Sequence, residues 1–287
     1  MQELAKLTLQ EVFKLRSQSN PEEILFSFVD EDPLRTKDVI EEAQAIQRAL
    51  RQFGLVKGDR VAILGENSPQ WGVAYLAAGA MGCVNVPILP DFHKSEVHHI
   101  LRNSASSVIF ISSKLVHKLA DGDFGDLKYI ILLDNVLETF AGKDLLTYDE
   151  IVSMGKGLDG KEAAFGVEED DLLEILYTSG TTGHSKGVML SHKNIISNAI
   201  AAIKMIHVSE QDRLLSILPM SHSYECTCGF ITPFYVGAKV YYLKGLPTAQ
   251  TLLPAVAKIK PTMILSVPLI MEKIDKTKVL SDINATS

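Results

Sequence analysis

The sequence is poor in the features that mark several large protein classes. Only three cysteines occur in 287 residues, Cys83, Cys226 and Cys228, an odd and low number that argues against a disulfide framework. No apolar run reaches the ~18 residues that a membrane-spanning helix needs. Residues Met1 to Gln10 lack the charged, apolar, then small pattern of a secretory leader. Positive charge is in deficit: 28 Lys and Arg stand against 35 Asp and Glu, a net charge of -7, which speaks against nucleic acid as a partner. Internal repeats and low-complexity tracts are also missing. These absences fit a protein of the reducing cytoplasm, with no transmembrane segment. Peripheral contact with a membrane, to collect a lipid substrate, stays open. What the chain does have is apolar material, 46% of residues against 22% charged, enough for one large domain or two smaller ones.

Apolar segments of two periods alternate along the chain, the pattern of an α/β fold with mostly parallel sheets flanked by helices. Val39, Ile40, Ala43, Ile46, Leu50 and Phe53 share one face of a helix over about 36–53, and Gly54 is placed to end it. The run Val61 to Leu64 suits a buried strand. Ser68 and Pro69 then open a helix that Gly82 stops, and Val84 to Pro87 returns as a strand, which completes a βαβ unit. A helix over about 95–102 and strands over 108–111 and 129–133 follow. Residues 134–171, which hold Gly155, Gly157, Gly160 and Gly166 with many charges, read as a surface connection. That places an internal boundary between an N-terminal α/β subdomain, 1–170, and a second α/β subdomain, 171–287. Strands are expected in the latter at 172–177, 214–218, 240–243 and 263–267.

The densest chemical signal is Tyr177-Thr178-Ser179-Gly180-Thr181-Thr182-Gly183-His184-Ser185-Lys186-Gly187. It lies between two apolar strands and precedes a helix capped by Ser191. Glycines let a backbone curl until successive N–H groups face one anion. The hydroxyls of Thr178, Ser179, Thr181 and Thr182 add donors, and Lys186 adds the full charge that a triphosphate demands. The competing reading is an exposed Gly/Ser/Thr turn, but a plain hairpin needs far fewer residues. The spacing is not that of a Walker A loop, because two residues separate Gly183 from Lys186 and Gly187 follows it. No Gly-x-Gly-x-x-Gly follows the strand at Val61 either. A P-loop kinase and a dinucleotide enzyme are both disfavoured.

This loop resembles the signature of the adenylate-forming (AMP-binding) superfamily, except that Ser185 stands where the family usually has proline. Gly58 to Ile63, Asn67-Ser68-Pro69 to Pro87, Leu218-Pro219-Met220-Ser221-His222-Ser223-Tyr224-Glu225 and Pro261 to Pro268 are similar to further family segments, in family order. The Ser221-His222 form is that of long-chain fatty acyl-CoA synthetases. The resemblance implies the N-terminal domain of the adenylate-forming fold. It also implies ATP, Mg²⁺ and coenzyme A as reactants, with a fatty or other carboxylic acid as substrate. Thr178, Ser179, Gly180, Thr181, Thr182, Gly183 and Lys186 would hold the phosphates, Thr178 would also ligate the metal, and Lys186 and His222 would be catalytic. His222 has an equal reading as a structural histidine.

Other polar residues have plainer readings. Tyr224 and Phe230 are expected in the core. Cys226 and Cys228 lack a second ligand pair for zinc and are expected as small buried residues. His98 and His99 are expected on a solvated helix face, and His192 and Asn194 at a helix start. After Pro268 the resemblance calls for a Tyr-Gly-x-Thr-Glu metal motif, a ribose-gripping aspartate and a small C-terminal lid domain, none of which is in this sequence. The expectation is a chain incomplete at its C-terminus, without full activity alone and prone to self-association. The alternative is a non-catalytic nucleotide-binding or assembly module that needs a partner chain.

Overall fold

The computed structural model describes residues 3–158, 165–178, 185–245, 247–268 and 272. In chain order the elements are α1 (Leu9–Ser17), β1 (Ile24–Phe28), β2 (Leu34–Arg35), α2 (Thr36–Gln52), β3 (Arg60–Leu64), α3 (Pro69–Met81), β4 (Val84–Ile88), α4 (Lys94–Ser104), β5 (Val108–Ile111), a 3₁₀ helix (Ser113–Leu119), β6 (Tyr129–Leu132) and the short pair β7 (Thr139–Phe140) and β8 (Lys143–Asp144). Then come α5 (Tyr148–Lys156), β9 (Leu172–Thr178), β10 (Lys186–Ser191), α6 (His192–Ile206), β11 (Arg213–Ser216), a π-helix (Glu225–Ile231), α7 (Thr232–Val236), β12 (Lys239–Tyr242) and α8 (Ala249–Ile259).

Two main sheets organise these elements. One has six strands in the order β10-β9-β4-β3-β5-β6, parallel throughout except for the antiparallel pair β9–β10. The other has four, β11-β12-β1-β2, with only β1–β2 antiparallel. The fold is thus the expected α/β arrangement of mostly parallel sheets. Parallel neighbours need a long crossover between them, so strands distant in sequence come side by side. β9 accordingly pairs with β4, and β12 with β1. Both sheets therefore draw strands from either side of residue 170: β9 and β10 adjoin β4, β3, β5 and β6 in one, and β11 and β12 adjoin β1 and β2 in the other.

Helix α3 is the hub. All of its residues except Gln70 are buried, as a helix that is apolar all round must be. Ser68 Oγ accepts the Trp71 N–H at 3.0 Å, and Gly82 ends the helix at φ 94°. Its side chains meet both sheets in one core that holds Phe26, Val240 and Tyr242 from the four-stranded sheet and Val61, Ile63 and Leu173 from the six-stranded one. Gly72 makes this possible, since a Cβ there would sit 2.9 Å from the Phe230 ring. The far face of the six-stranded sheet is closed by Val97, Ile100 and Leu101 of α4 and Leu115, Val116 and Leu119 of the 3₁₀ helix.

Two expectations about elements are corrected, and one helix is added. Residues 134–171 are not a plain surface connection. Helix α5 within them buries Tyr148, Ile151 and Val152 in the main core, and Gly155 lets it rest on the Ala45 carbonyl. The glycines and charges of this stretch hid a short helix whose apolar face is only three residues wide. The strand expected over 263–267 reduces to a single bridge, Met263 to Leu214. The N-terminal helix α1, which buries Leu9, Val12 and Phe13, was not anticipated, because a nine-residue helix repeats its apolar period too few times.

Candidate active site

Strand β9 carries Leu173, Leu176 and Tyr177 into buried positions and ends at exposed Thr178. β10 returns antiparallel, with Lys186 directly opposite Thr178 and Gly187 opposite Tyr177. Residues Ser179, Gly180, Thr181, Thr182, Gly183 and His184, which make up most of the expected phosphate loop, lie outside the described residues. Its two flanks are therefore what can be described, and they face each other across one hairpin mouth. Lys186 is exposed, and among the described residues it pairs with no carboxylate, so its ammonium is available to an anion.

The flanks are held from below by α4. Glu96, His99 and Asn103 lie three and four residues apart, which puts them on one helix face. Ser185 is buried; its Oγ donates to Glu96 Oε1 at 3.4 Å, and its carbonyl accepts from His99 Nε2 at 3.0 Å. Tyr177 Oη donates to Asn103 Oδ1 at 2.6 Å, and the Tyr177 ring meets the edge of His99 with centroids 6.5 Å apart. Burial pushes the Tyr177 hydroxyl pKa up, so it remains a donor. Gly187 makes the close strand approach possible, because a Cβ there would lie 2.7 Å from Ile175 Cγ2 and 3.3 Å from the Tyr177 ring. The expectation that His98 and His99 form a solvated face is therefore overturned. Both are half-buried, and His98 bonds the Lys118 carbonyl at 2.9 Å and packs on Phe124.

The second segment, 216–225, turns on Asn67. Its Nδ2 donates to Ser216 Oγ at 2.9 Å and to the Leu218 carbonyl at 2.6 Å, while its Oδ1 accepts the Met220 N–H at 2.8 Å. These three bonds fix the turn that presents His222, whose side chain is exposed and whose N–H donates to the Pro219 carbonyl at 2.9 Å. Tyr224 is 43% exposed, not in the core, whereas Phe230 is fully buried against Trp71 and Phe26. Cys226 is buried and Cys228 half-buried, and both are free thiols. The chain leaves this turn in a π-helix, a geometry that concentrates at functional sites.

The two segments meet in the interior. The Cys226 N–H donates to the His222 carbonyl at 2.9 Å, and Cys226 Sγ lies 3.8 Å from Glu174 Oε2 on β9. Tyr75 Oη of α3 donates to the same oxygen at 2.9 Å. Burial pushes the Glu174 carboxyl up to about 7 and that of Glu225 up to about 8. Near the start of α6, His192 is fully buried and its Nδ1 accepts the Leu9 N–H at 3.1 Å; burial lowers its pKa to about 4 and keeps it neutral. Its role is to tie α1 to α6, which agrees with its reading as part of a helix start. Asn194 completes the capping box with Ser191.

A family model described as AMP-binding enzyme matches residues 14–286. The chain belongs to this family. Over 253 residues it is 30% identical to a fatty acyl-CoA synthetase B of Dictyostelium discoideum, covering 85% of this chain and 37% of that protein. Among solved structures it is similar to the anthranilate CoA ligase AuaEII in complex with anthranoyl-AMP, at 20% identity and a TM-score of 0.83, covering 92% of this chain and 50% of that one. It is also similar to the N-terminal domain of FACL13 from Mycobacterium tuberculosis, at 25% identity and a TM-score of 0.79, covering 93% and 64%. The chain thus spans well under half the length of this curated relative, and its fold is that of the N-terminal domain of adenylate-forming enzymes.

Within this member of the family Ser185 departs from the proline expected before the lysine. Proline would fix φ but offer no hydroxyl. Here the serine hydroxyl reaches Glu96, so a side-chain bond does the holding that a ring would otherwise do. Glu96, His99, Asn103, Asn67 and Glu174 were not singled out from the sequence. The i, i+3, i+7 spacing on α4 and a lone carboxylate inside Leu172-Leu173-Glu174-Ile175-Leu176 were the signals that could have found them.

Proposed function

We propose that this chain supplies the phosphate-binding half of an acyl-CoA synthetase, which joins a fatty or related carboxylic acid to ATP as an acyl-adenylate and then passes the acyl group to coenzyme A. The observation that carries this reading is the direct opposition of Thr178 and Lys186 at the mouth of the β9–β10 hairpin, each exposed and each braced by α4 through its neighbour. An exposed hydroxyl and an ammonium with no carboxylate partner among the described residues, at one mouth, fit a magnesium-bound triphosphate. Lys186 would neutralise the β- and γ-phosphates, with the backbone and hydroxyls of 179–183 completing the cradle. Thr178 Oγ1 would be one oxygen ligand to Mg²⁺, which takes its remaining ligands from phosphate and water.

Attack of a carboxylate oxygen on the α-phosphate, with pyrophosphate leaving, asks little covalent chemistry of the protein. Alignment and charge neutralisation carry it. His222, held on the Asn67-bound turn, is placed in this reading beside the acyl and adenylate groups. A fatty substrate is supported by the similarity to a fatty acyl-CoA synthetase, and a cytoplasmic setting by three free thiols. The 287 residues as they stand are proposed to bind Mg-ATP without efficient turnover. Fatty-acid-dependent exchange of labelled pyrophosphate into ATP tests this. Exchange by the chain alone would overturn the inactivity. Mg-ATP binding in calorimetry that is indifferent to Lys186→Ala would overturn the phosphate site itself.

A second reading, an assembly module that pairs with another chain, is favoured by one observation. Val188 and Met189 on β10, together with Ile264 and Val267, are exposed apolar side chains, and β10 is an edge strand. Light scattering that reports a monomer at high concentration would count against self-association through this edge.

A further inference from the structure

Ten buried side-chain atoms among the described residues lack a hydrogen-bond partner, and six of them belong to Trp71, Asn85, Glu174, Ser221, Glu225 and Tyr242. These residues lie in and around the interior between α3, β4, β9, β12 and the π-helix. Unpaired buried polar atoms are costly, so a concentration of them asks for an explanation.

The hydrogen bonds already made narrow the explanation. At Glu174, Oε2 accepts from Tyr75 Oη at 2.9 Å, while Oε1 has no partner. Asn85 is the register partner of Glu174 across β4 and β9. Its Nδ2 is committed to the Tyr75 carbonyl at 3.3 Å, which leaves its Oδ1 unpaired. Two acceptors thus stand on neighbouring strands with no donor between them. At Glu225, Oε1 accepts from Ser216 Oγ at 2.6 Å, and Ser216 is itself held by Asn67 Nδ2. Glu225 Oε2 is unpaired, as is the hydroxyl of Tyr242, whose ionisation the Glu225 charge opposes. The Glu225 carboxyl folds back over Gly229, where a Cβ would lie 2.6 Å from its Cδ, and it is buried. A proton on Glu174 supplies the donor that its pairing with Asn85 lacks, and a proton on Glu225 removes a buried charge that no cation among the described residues offsets.

We propose that Glu174 and Glu225 are neutral, protonated members of a buried clasp that fixes the strand entering the phosphate loop against the turn that presents His222, which makes them positioning residues for the active site. The part that concerns the active site rests on the function proposed above; the clasp itself does not. Glu174 lies four residues before Thr178 and touches Cys226, while Glu225 lies three residues after His222. Helix α3 joins the two halves, through Tyr75 to Glu174 and through the Asn67 loop before it to Ser216 and Glu225. The titratable groups that act on the two carboxyls among the described residues are Tyr75 from α3, Cys226 and Cys228 from the π-helix and Tyr242 from β12. None is a cation, so nothing in this set compensates a negative charge.

The consequence is a pH dependence of definite sign. Both carboxyls titrate higher in the fold, at about 7 and about 8, than the ordinary 4.5. Between these values the unfolded chain binds fewer protons than the folded one, so stability falls as pH rises and levels off above 8. His192, lowered from 6.5 to about 4, works in the opposite direction but only below 6.5. The interval from pH 6.5 to 8 therefore isolates the carboxyls.

The test uses the 287-residue chain and its variants Glu174→Gln, Glu225→Gln and the double variant, since glutamine keeps the donor and cannot ionise. The infrared C=O stretch of protonated carboxyls is expected in the wild type at pH 6.5, weaker in each single variant and lost in the double. The melting temperature of the wild type is expected to fall from pH 6.5 to 8, and that of the double variant to fall much less. Absence of the protonated-carboxyl band in the wild type at pH 6.5 overturns the proposal, as does an unchanged pH slope in the double variant. If the glutamine variants fail to fold, the clasp is also refuted, because a neutral donor should be tolerated. For the positioning role, Mg-ATP affinity is expected to weaken from pH 6.5 to 8 in the wild type beyond its change in the double variant. Equal changes in the two overturn positioning. A wild type that binds no Mg-ATP at any pH defeats the proposed function and with it the positioning role, whereas the infrared and melting results still decide the clasp.

Discussion

Strands β9 and β10 are hydrogen-bonded neighbours with opposite surroundings. β9 is flanked on both sides, by β4 and β10, and buries Leu173, Glu174, Leu176 and Tyr177. β10 is an edge, and Lys186, Gly187, Val188 and Met189 are all exposed, Met189 at 66%. The same hairpin therefore has one strand that fixes position and one that presents chemistry. The difference teaches that the strength of the site lies beneath it. Lys186 contributes charge at the mouth, while its place is set by buried partners of the preceding strand and of α4.

The largest test of this division compares core with edge. Trp71→Ala, which empties a fully buried position at the α3 hub, is expected to cost about 3–5 kcal/mol in urea unfolding. Met189→Ala on the edge should stay within about 0.5 kcal/mol. Similar costs for the two would break the comparison. Next in size is His192, the buried neutral histidine that ties α1 to α6. Its folded pKa lies below its unfolded one, so its contribution is complete above pH 6.5 and is lost as pH falls towards 4. The loss should reach about 3 kcal/mol by pH 4. His192→Asn keeps an acceptor for the Leu9 N–H and removes the titration, so unfolding curves at several pH values should show a shallower acid loss in the variant.

Lys186→Ala moves the comparison to the mouth of the hairpin. Removing a charge-assisted contact of about 1.5–3 kcal/mol should weaken Mg-ATP binding roughly 10- to 100-fold. The melting temperature of the free protein should change little, because among the described residues the lysine has no carboxylate partner to lose. A large drop in melting temperature would show Lys186 to be structural. The smallest expected effect is that of Ser185→Ala. Its 3.4 Å bond to Glu96 is long, so stability should fall by under about 1 kcal/mol. A modest loss of Mg-ATP affinity should accompany it, since the residue before Lys186 is less firmly held.

The elements legible in the sequence were those whose signal is local and repeated. α2 is read from six apolar residues on one face, and α3 from its Ser68 cap, Pro69 and Gly82. β3, β5 and β9 are short apolar runs bounded by turns. The phosphate loop was legible as composition, and the structure adds that its flanks Thr178 and Lys186 are register partners. The residues missed from the site, Glu96, His99, Asn103 and Asn67, act through contacts to chain 74 to 153 residues away. No local pattern marks such a contact, and two adjacent histidines on an amphipathic helix look the same whether they face solvent or a distant carbonyl.

By itself, the sequence determined the alternation of strands and helices, the family, and the cluster of hydroxyls, glycines and lysine suited to phosphate. These follow from backbone preferences and apolar periodicity, which act over a few residues. Only the tertiary structure decided that both sheets draw strands from each half of the chain, that α5 is a core helix, and that Glu174 and Glu225 are buried in the interior with Tyr75 and Tyr242. Parallel pairing joins strands far apart in sequence, and burial of a charged group is a property of the whole packed fold, so neither can be read from the residues that take part in it.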